Sequence, residues 1–181
     1  MRERLLSLVS GVNADLRHVI PGGRILDAGC GVGRDALAFA RLGYDVVAFD
    51  ASLEMVRLTR ARVGPHVPVH LMRFEEVAWC GEFDGVWTCA SLLHVPSISF
   101  AEVGSRVVDA LRSGGAWHMS FKLGQGERFT NGRLFVDHTQ ENLSEALTGW
   151  SIRISEMWIS EDVRPGRKQE RWVNAVAVRS P

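Results

Sequence analysis

Long hydrophobic runs are missing from this chain; none approaches the roughly 20 residues that a membrane-crossing helix needs. Cysteine is scarce. Cys30, Cys80 and Cys89 are the three present, none in a Cys-x-x-Cys pair, so a closed disulfide framework is excluded and reduced thiols are expected. An excess of one charge is also lacking, because 21 Lys and Arg balance 21 Asp and Glu. The electrostatic footprint of a general nucleic-acid binder is therefore missing. No repeat, low-complexity tract or long linker breaks the chain. Near the start, Leu5, Leu6, Leu8 and Val9 form an apolar stretch broken by Ser7. No small-residue cleavage site follows, so it reads as part of a helix rather than a secretion signal, and the protein as cytoplasmic. What is present is an ordinary globular composition: 181 residues, 46% hydrophobic and 23% charged. That is enough for one domain with a sizeable core.

Short β-type runs alternate with helical ones. Residues 24–28 form a strand candidate that ends in a glycine-rich turn, and a helix over 34–42 stops at Gly43, where a left-handed residue is wanted. A second strand covers 44–50, and Ser52 caps the next helix with Glu54 in its first turn. Strands follow at 67–72 and 83–89, with a short helix at 75–79 between them. A helix over 99–111 places Val103, Val107, Ala110 and Leu111 on one face; Gly114-Gly115 ends it, and a fifth strand follows at 116–121. After a helix from the Thr139 cap to about Leu147, the runs 152–160 and 171–179 have no helix between them. With Pro165-Gly166 as a turn signal, they read as an antiparallel hairpin at one sheet edge. The fold expected is α/β and Rossmann-like: a mainly parallel seven-stranded sheet ending in an antiparallel hairpin, with helices on both faces. Ligand would bind beyond the carboxyl ends of the strands, at the switch point.

The chemistry concentrates in Asp27-Ala28-Gly29-Cys30-Gly31-Val32-Gly33-Arg34. Glycines at a strand-to-helix turn let the backbone approach a ligand that side chains would exclude. The last glycine of the dinucleotide fingerprint would fall on Arg34. Asp27, at the strand end, would repel a pyrophosphate and suits a ligand with cationic groups. Asp50 ends the second strand about twenty residues on, where an acid accepts from ribose hydroxyls.

Asp27 to Gly33, followed by Phe49-Asp50-Ala51-Ser52, resembles the first two motifs of the class I S-adenosylmethionine-dependent methyltransferases. Phe83-Asp84-Gly85-Val86-Trp87, Ser91-Leu92-Leu93-His94-Val95 and Leu111-Arg112-Ser113-Gly114-Gly115 resemble that family's later motifs, in the same order. The likeness covers about residues 22–181. Within the family the chain resembles small single-domain bacterial enzymes of the tellurite-resistance type. The resemblance implies S-adenosylmethionine as cofactor and one methyltransferase domain over 1–181, with 1–21 as a shortened amino-terminal helical lid. It implies that Gly29 and Gly31 pass under the methionyl part and that Ala51 lies against the adenine. Phe74 and Glu75 would recognise the adenine edge, and Cys89 would offer a backbone contact to the methionyl ammonium.

Methyl transfer is a direct displacement that needs alignment and water exclusion, and a base only for a protonated acceptor. His94 is the candidate base. Lys122 and Arg133 are candidate acceptor contacts, the latter on a loop with Asp137 and His138. Arg164, Arg167, Lys168 and Arg171 surround the hairpin turn. Of six tryptophans, Trp87 and Trp117 fall in buried strands, while Trp158 and Trp172 on the hairpin are freer. No metal-ligand spacing is found. After the fourth strand there is no Asn/Asp-Pro-Pro-aromatic run, which argues against methylation of a nucleic-acid base amine. The expected partner is a small molecule, with no nucleic acid and no membrane. A cofactor-binding regulatory module is the alternative.

Overall fold

The computed structural model describes residues 18–162, 164, 166 and 169–181. Seven strands make the main sheet: β1 (Arg24–Ala28), β2 (Asp45–Asp50), β3 (Val69–Leu71), β4 (Phe83–Cys89), β5 (Leu111–Lys122), β8 (Ile152–Glu161) and β9 (Arg171–Arg179). Between them come α1 (Arg34–Arg41), α2 (Leu53–Val63), α3 (Ser97–Ala110) and α4 (Gln140–Ala146). The strand order is β3-β2-β1-β4-β5-β9-β8. The first five strands are parallel, and β9 joins β5 and β8 in antiparallel register. This is the expected fold. The order reverses between β1 and β4, which sets the switch point at their carboxyl ends.

Successive residues of a strand face opposite sides, and the core divides accordingly. Leu26, Val47, Phe49, Val86 and Trp117 pack with Val103 and Val107 of α3 on one face. Ile25, Val46, Ala48 and Trp87 pack with Ala36 and Phe39 of α1 and Val56 of α2 on the other. Burial on both faces explains why the parallel strands read as near-continuous apolar runs. Trp87 and Trp117 are buried as expected, each indole N–H satisfied: Trp87 donates to Asp35 Oδ2 at 3.2 Å and Trp117 to Thr88 Oγ1 at 2.9 Å. The predicted caps are in place, with Ser52 accepting from Met55 N–H and Thr139 from Asn142 N–H.

Three local expectations are corrected. The segment containing Arg133 is not a loop; Gly126–Thr130 and Arg133–Asp137 pair as an antiparallel hairpin, β6–β7, outside the main sheet. Its two-residue connection, Asn131-Gly132, has positive φ at both positions (52° and 73°), as a type I′ turn requires. Gly114-Gly115 does not end α3. That helix stops at Ala110, and the pair lies inside β5, where pairing with β4 shifts register between Phe83 and Gly85. The helix expected at 75–79 is a single 3-10 turn, Phe74–Glu76. Pro165, Arg167, Lys168 and residues 1–17 of the proposed lid lie outside the described residues. Of the rest of that segment, Val19 is buried and His18 Nε2 is 3.3 Å from Ser155 Oγ.

Candidate active site

The glycine turn is built by backbone geometry and one carboxylate. Gly29, Gly31 and Gly33 all have positive φ (75°, 54° and 73°), and Gly29 and Cys30 both donate their N–H to Phe49 O at 2.9 Å. Asp50 Oδ2 accepts Gly31 N–H at 2.9 Å, while Oδ1 accepts Ser52 N–H at 2.9 Å. One side chain thus ties the end of β2 to the turn after β1. A Cβ on Gly29 would lie 2.4 Å from Ser91 Cβ, and one on Gly33 would lie 2.7 Å from Thr59 Cγ2. At Gly31 it would meet nothing within 4 Å. Gly31 therefore faces open space, and that space is a cleft of about 650 Å³.

Gly29, Gly31, Asp50, Ala51, Phe74, Glu75 and His94 all line the cleft, together with Arg133. Phe74 meets Phe49 edge-to-face with ring centroids 5.1 Å apart. Two of the expected cofactor residues stand behind the wall. Asp27 is buried, and its Oδ2 accepts Ala36 N–H at 3.0 Å in the first turn of α1. Burial, reinforced by neighbouring Asp35, pushes its carboxyl well above the usual range. Cys89 accepts from Ser120 Oγ at 3.7 Å, and burial raises its thiol to about 11. Its successors Ala90 and Ser91 form the wall instead. Ala90 has φ 54°, a strained value for a residue with a side chain. Ser91 Oγ donates to Ala28 O at 2.7 Å, locking the ends of β1 and β4 together.

His94 lies in a 3-10 turn, Leu92–His94, with its Nδ1 2.7 Å from Leu134 O on β7. A carbonyl only accepts, so Nδ1 carries the proton and Nε2 of the neutral ring keeps its lone pair. The ring packs edge-on against Phe135, 4.8 Å between centroids.

A second cleft, of about 920 Å³, adjoins the first, and Ala90, His94 and Arg133 line both. Lys122 lies on its wall, buried, with Nζ 3.4 Å from Asp162, paired with Glu170, and 3.9 Å from the centroid of the Trp172 ring. Its charge is met within the protein. Arg128 binds Asp137 through Nε at 2.5 Å, and Arg164 pairs with Asp162. Sequence reasoning named eight of the residues that line the first cleft and missed, among others, Met55, Met72, Arg73, Ala90 and Leu134 on its wall. Met72 and Arg73 immediately precede the Phe74–Glu75 pair that was found, whereas Leu134 comes from the unforeseen hairpin. Among the described residues no cluster of His, Cys, Asp and Glu could hold a metal ion. No helix among them is long and apolar enough to cross a membrane.

The chain resembles known proteins at both levels. Over 86 residues, 44% of its length, it is 40% identical to a ubiquinone biosynthesis O-methyltransferase of Xanthomonas campestris pv. campestris, of which 36% is covered. Over 100 residues, 51% of its length, it is 34% identical to a magnesium-protoporphyrin O-methyltransferase of Rhodobacter capsulatus, of which 44% is covered. The chain thus spans less than half the length of these curated relatives. Its fold matches 1,6-didemethyltoxoflavin-N1-methyltransferase of Burkholderia thailandensis with TM-score 0.75, covering 99% of this chain and 78% of that one at 22% identity. A family model described as a methyltransferase domain matches residues 25–115, half of the chain, from Ile25 in β1 to Gly115 in β5. The chain belongs to this methyltransferase-domain family.

Proposed function

We propose that this protein transfers the methyl group of S-adenosylmethionine to a small-molecule acceptor with an O, N, S or softer nucleophile. The observation that carries the reading is the open turn at the switch point, where Gly31 donates its N–H to Asp50 and its missing side chain leaves the cleft clear. The names of the curated relatives support it, as does the S-adenosylhomocysteine bound to the Burkholderia enzyme.

The residues present fit that cofactor. A cleft of about 650 Å³ is of the size small ligands occupy. Gly29 and Gly31 form its backbone bed, and the unused lone pairs of Asp50 accept ribose hydroxyls. Ala51, Phe74 and Glu75 flank the adenine. Asp27 acts from behind the wall by fixing the start of α1, and Cys89 accepts from the Ser120 hydroxyl that holds the N–H of Ala90. When bound, S-adenosylmethionine supplies a methyl group activated by its sulfonium.

His94 stands where the two clefts meet, held by Leu134 O, with Nε2 available to take a proton from a hydroxyl or amine acceptor. Arg133 and Leu134 of the β6–β7 hairpin wall the cofactor cleft and help keep water out. Arg133 contacts the acceptor, while Lys122 fixes the floor of the acceptor cleft through Glu170 and Asp162. The narrower kinship with small enzymes of the tellurite-resistance type rests on motif order and belongs to the same proposal, as does a cytoplasmic location.

The test is formation of S-adenosylhomocysteine with a panel of phenols, amines and thiols. With a phenol, His94→Gln is expected to lower kcat by about a hundredfold, while a thiolate, already ionised, is methylated at nearly the wild-type rate. A His94→Gln variant with full activity on the phenol removes the base. No product with any acceptor overturns the enzymatic reading.

A further inference from the structure

The second cleft carries more positive charge than it neutralises. Lys122, Arg128, Arg133, Arg164 and Arg171 line it. Three of these are matched by carboxylates: Lys122 by Asp162 and Glu170, Arg128 by Asp137, and Arg164 by Asp162. Arg164 also holds the Asp162 carboxyl well below the usual range, so that acid stays ionised. Arg133 and Arg171 are different. Among the described residues neither guanidinium has a hydrogen bond or an ion pair, and both are exposed on the cleft wall. The cleft also has apolar lining, Leu123 and Phe135, and it opens beside His94 into the first cleft.

We infer that the methyl acceptor is a small organic anion, its carboxylate or phosphate bound by Arg133 and Arg171, its body resting on Leu123 and Phe135. The inference rests on the methyl-transfer reading, since it assigns the second cleft to the acceptor. A guanidinium presents a planar fork of donors that matches carboxylate and phosphate oxygens. The ion pairs of Lys122, Arg128 and Arg164 hold the cleft in shape, and the two unmatched arginines supply its selectivity. Arg133, lining both clefts, places the anion near the reacting atoms, while Arg171 lies on the second cleft alone.

The experiment is a set of calorimetric titrations with 4-hydroxybenzoate, 4-hydroxyphenyl phosphate and the uncharged 4-hydroxybenzamide, with and without saturating S-adenosylhomocysteine. At least one anion is expected to bind about tenfold more tightly than the amide. That preference should fall severalfold in Arg171→Gln, fall again in the Arg133→Gln/Arg171→Gln pair, and fall only partway in Arg171→Lys, which keeps the charge but loses the planar fork. Which anion binds tells carboxylate from phosphate. If neither anion binds more tightly than the amide, or the preference persists in the double variant, the inference is overturned. S-adenosylhomocysteine binding is read separately; its absence would count against the methyl-transfer reading, whereas the anion preference is scored in either buffer.

Discussion

At the scale of single residues, the three glycines of the turn do different work. Gly29 is excluded from bearing a side chain by Ser91, 2.4 Å from the would-be Cβ, whereas Gly31 is excluded only by what enters the cleft. Gly29→Ala should therefore lower the melting temperature, its clash adding to the positive-φ cost of about 1 kcal/mol. Gly31→Ala should cost stability only through φ, yet weaken S-adenosylhomocysteine binding severely. Equal melting losses for the two variants, with Gly31→Ala binding normally, would make the turn purely structural. His118 gives a second prediction. It is buried, stacked on Trp87 at 3.7 Å, and burial lowers its imidazole from 6.5 to about 3. The folded form binds this proton less readily than the unfolded form, so stability is lost as pH falls from about 6.5 towards 3. The slope approaches about 1.4 kcal/mol per pH unit. The stability of His118→Gln minus that of wild type should rise as pH falls across that window, as urea melts can measure; a flat difference refutes it. Site positions were legible wherever the backbone determines them, as at Gly31 and Asp50. Asp27 was harder, because a place at a strand end does not say which way a side chain turns; the backbone contact expected of Cys89 does not depend on its side chain. Asp27 turns to the amide of Ala36, and Cys89 to the hydroxyl of Ser120.

At the scale of elements, β1 to β5 were legible because parallel strands buried on both faces read as apolar runs between capped helices. The β6–β7 hairpin was not, although Asn131-Gly132 is a strong two-residue turn signal. Its flanks explain the miss: all five residues of β6 are exposed, so no apolar alternation marks that strand. The hairpin brings Leu134 to His94 and Arg133 to both clefts, so missing it hid what holds His94, although Arg133 itself was named. The Gly114-Gly115 pair misled for a related reason, since a break inside a strand and a helix end share the same residues. Helix α3 hides a contact that no local pattern reveals. A Cβ on Gly104 would lie 1.9 Å from Trp150 Cη2. Propensity alone predicts that Gly104→Ala stabilises a helix by about 1 kcal/mol. The packing predicts the reverse sign, a loss of about 1–3 kcal/mol from the overpacked ring. Chemical denaturation decides between them, and a stabilised variant would mean that Trp150 moves aside freely.

At the scale of the whole molecule, function follows from where the sheet reverses its strand order. The reversal between β1 and β4 sends the helices that follow these strands to opposite faces of the sheet; Gly29 and Gly31 line one side of the cleft, Ala90 and Ser91 the other. The antiparallel pair β8–β9 extends the sheet beyond β5 and carries Arg171 and Trp172 to the second cleft. One fold thus presents two adjoining clefts, one framed by β1, β2 and β4, which we assign to the cofactor, and one framed by β5, β7 and β9, which we assign to the acceptor. The central claim is that S-adenosylmethionine occupies the first of them. Calorimetry of wild type and Asp50→Ala with S-adenosylmethionine and with NAD tests it most directly. The account predicts one-to-one micromolar binding of S-adenosylmethionine, none of NAD, and a loss of about 1–3 kcal/mol in Asp50→Ala, which removes the acceptor for the ribose and for Gly31 N–H together. Wild type that binds NAD instead, or a variant that binds S-adenosylmethionine as tightly as wild type, would contradict it.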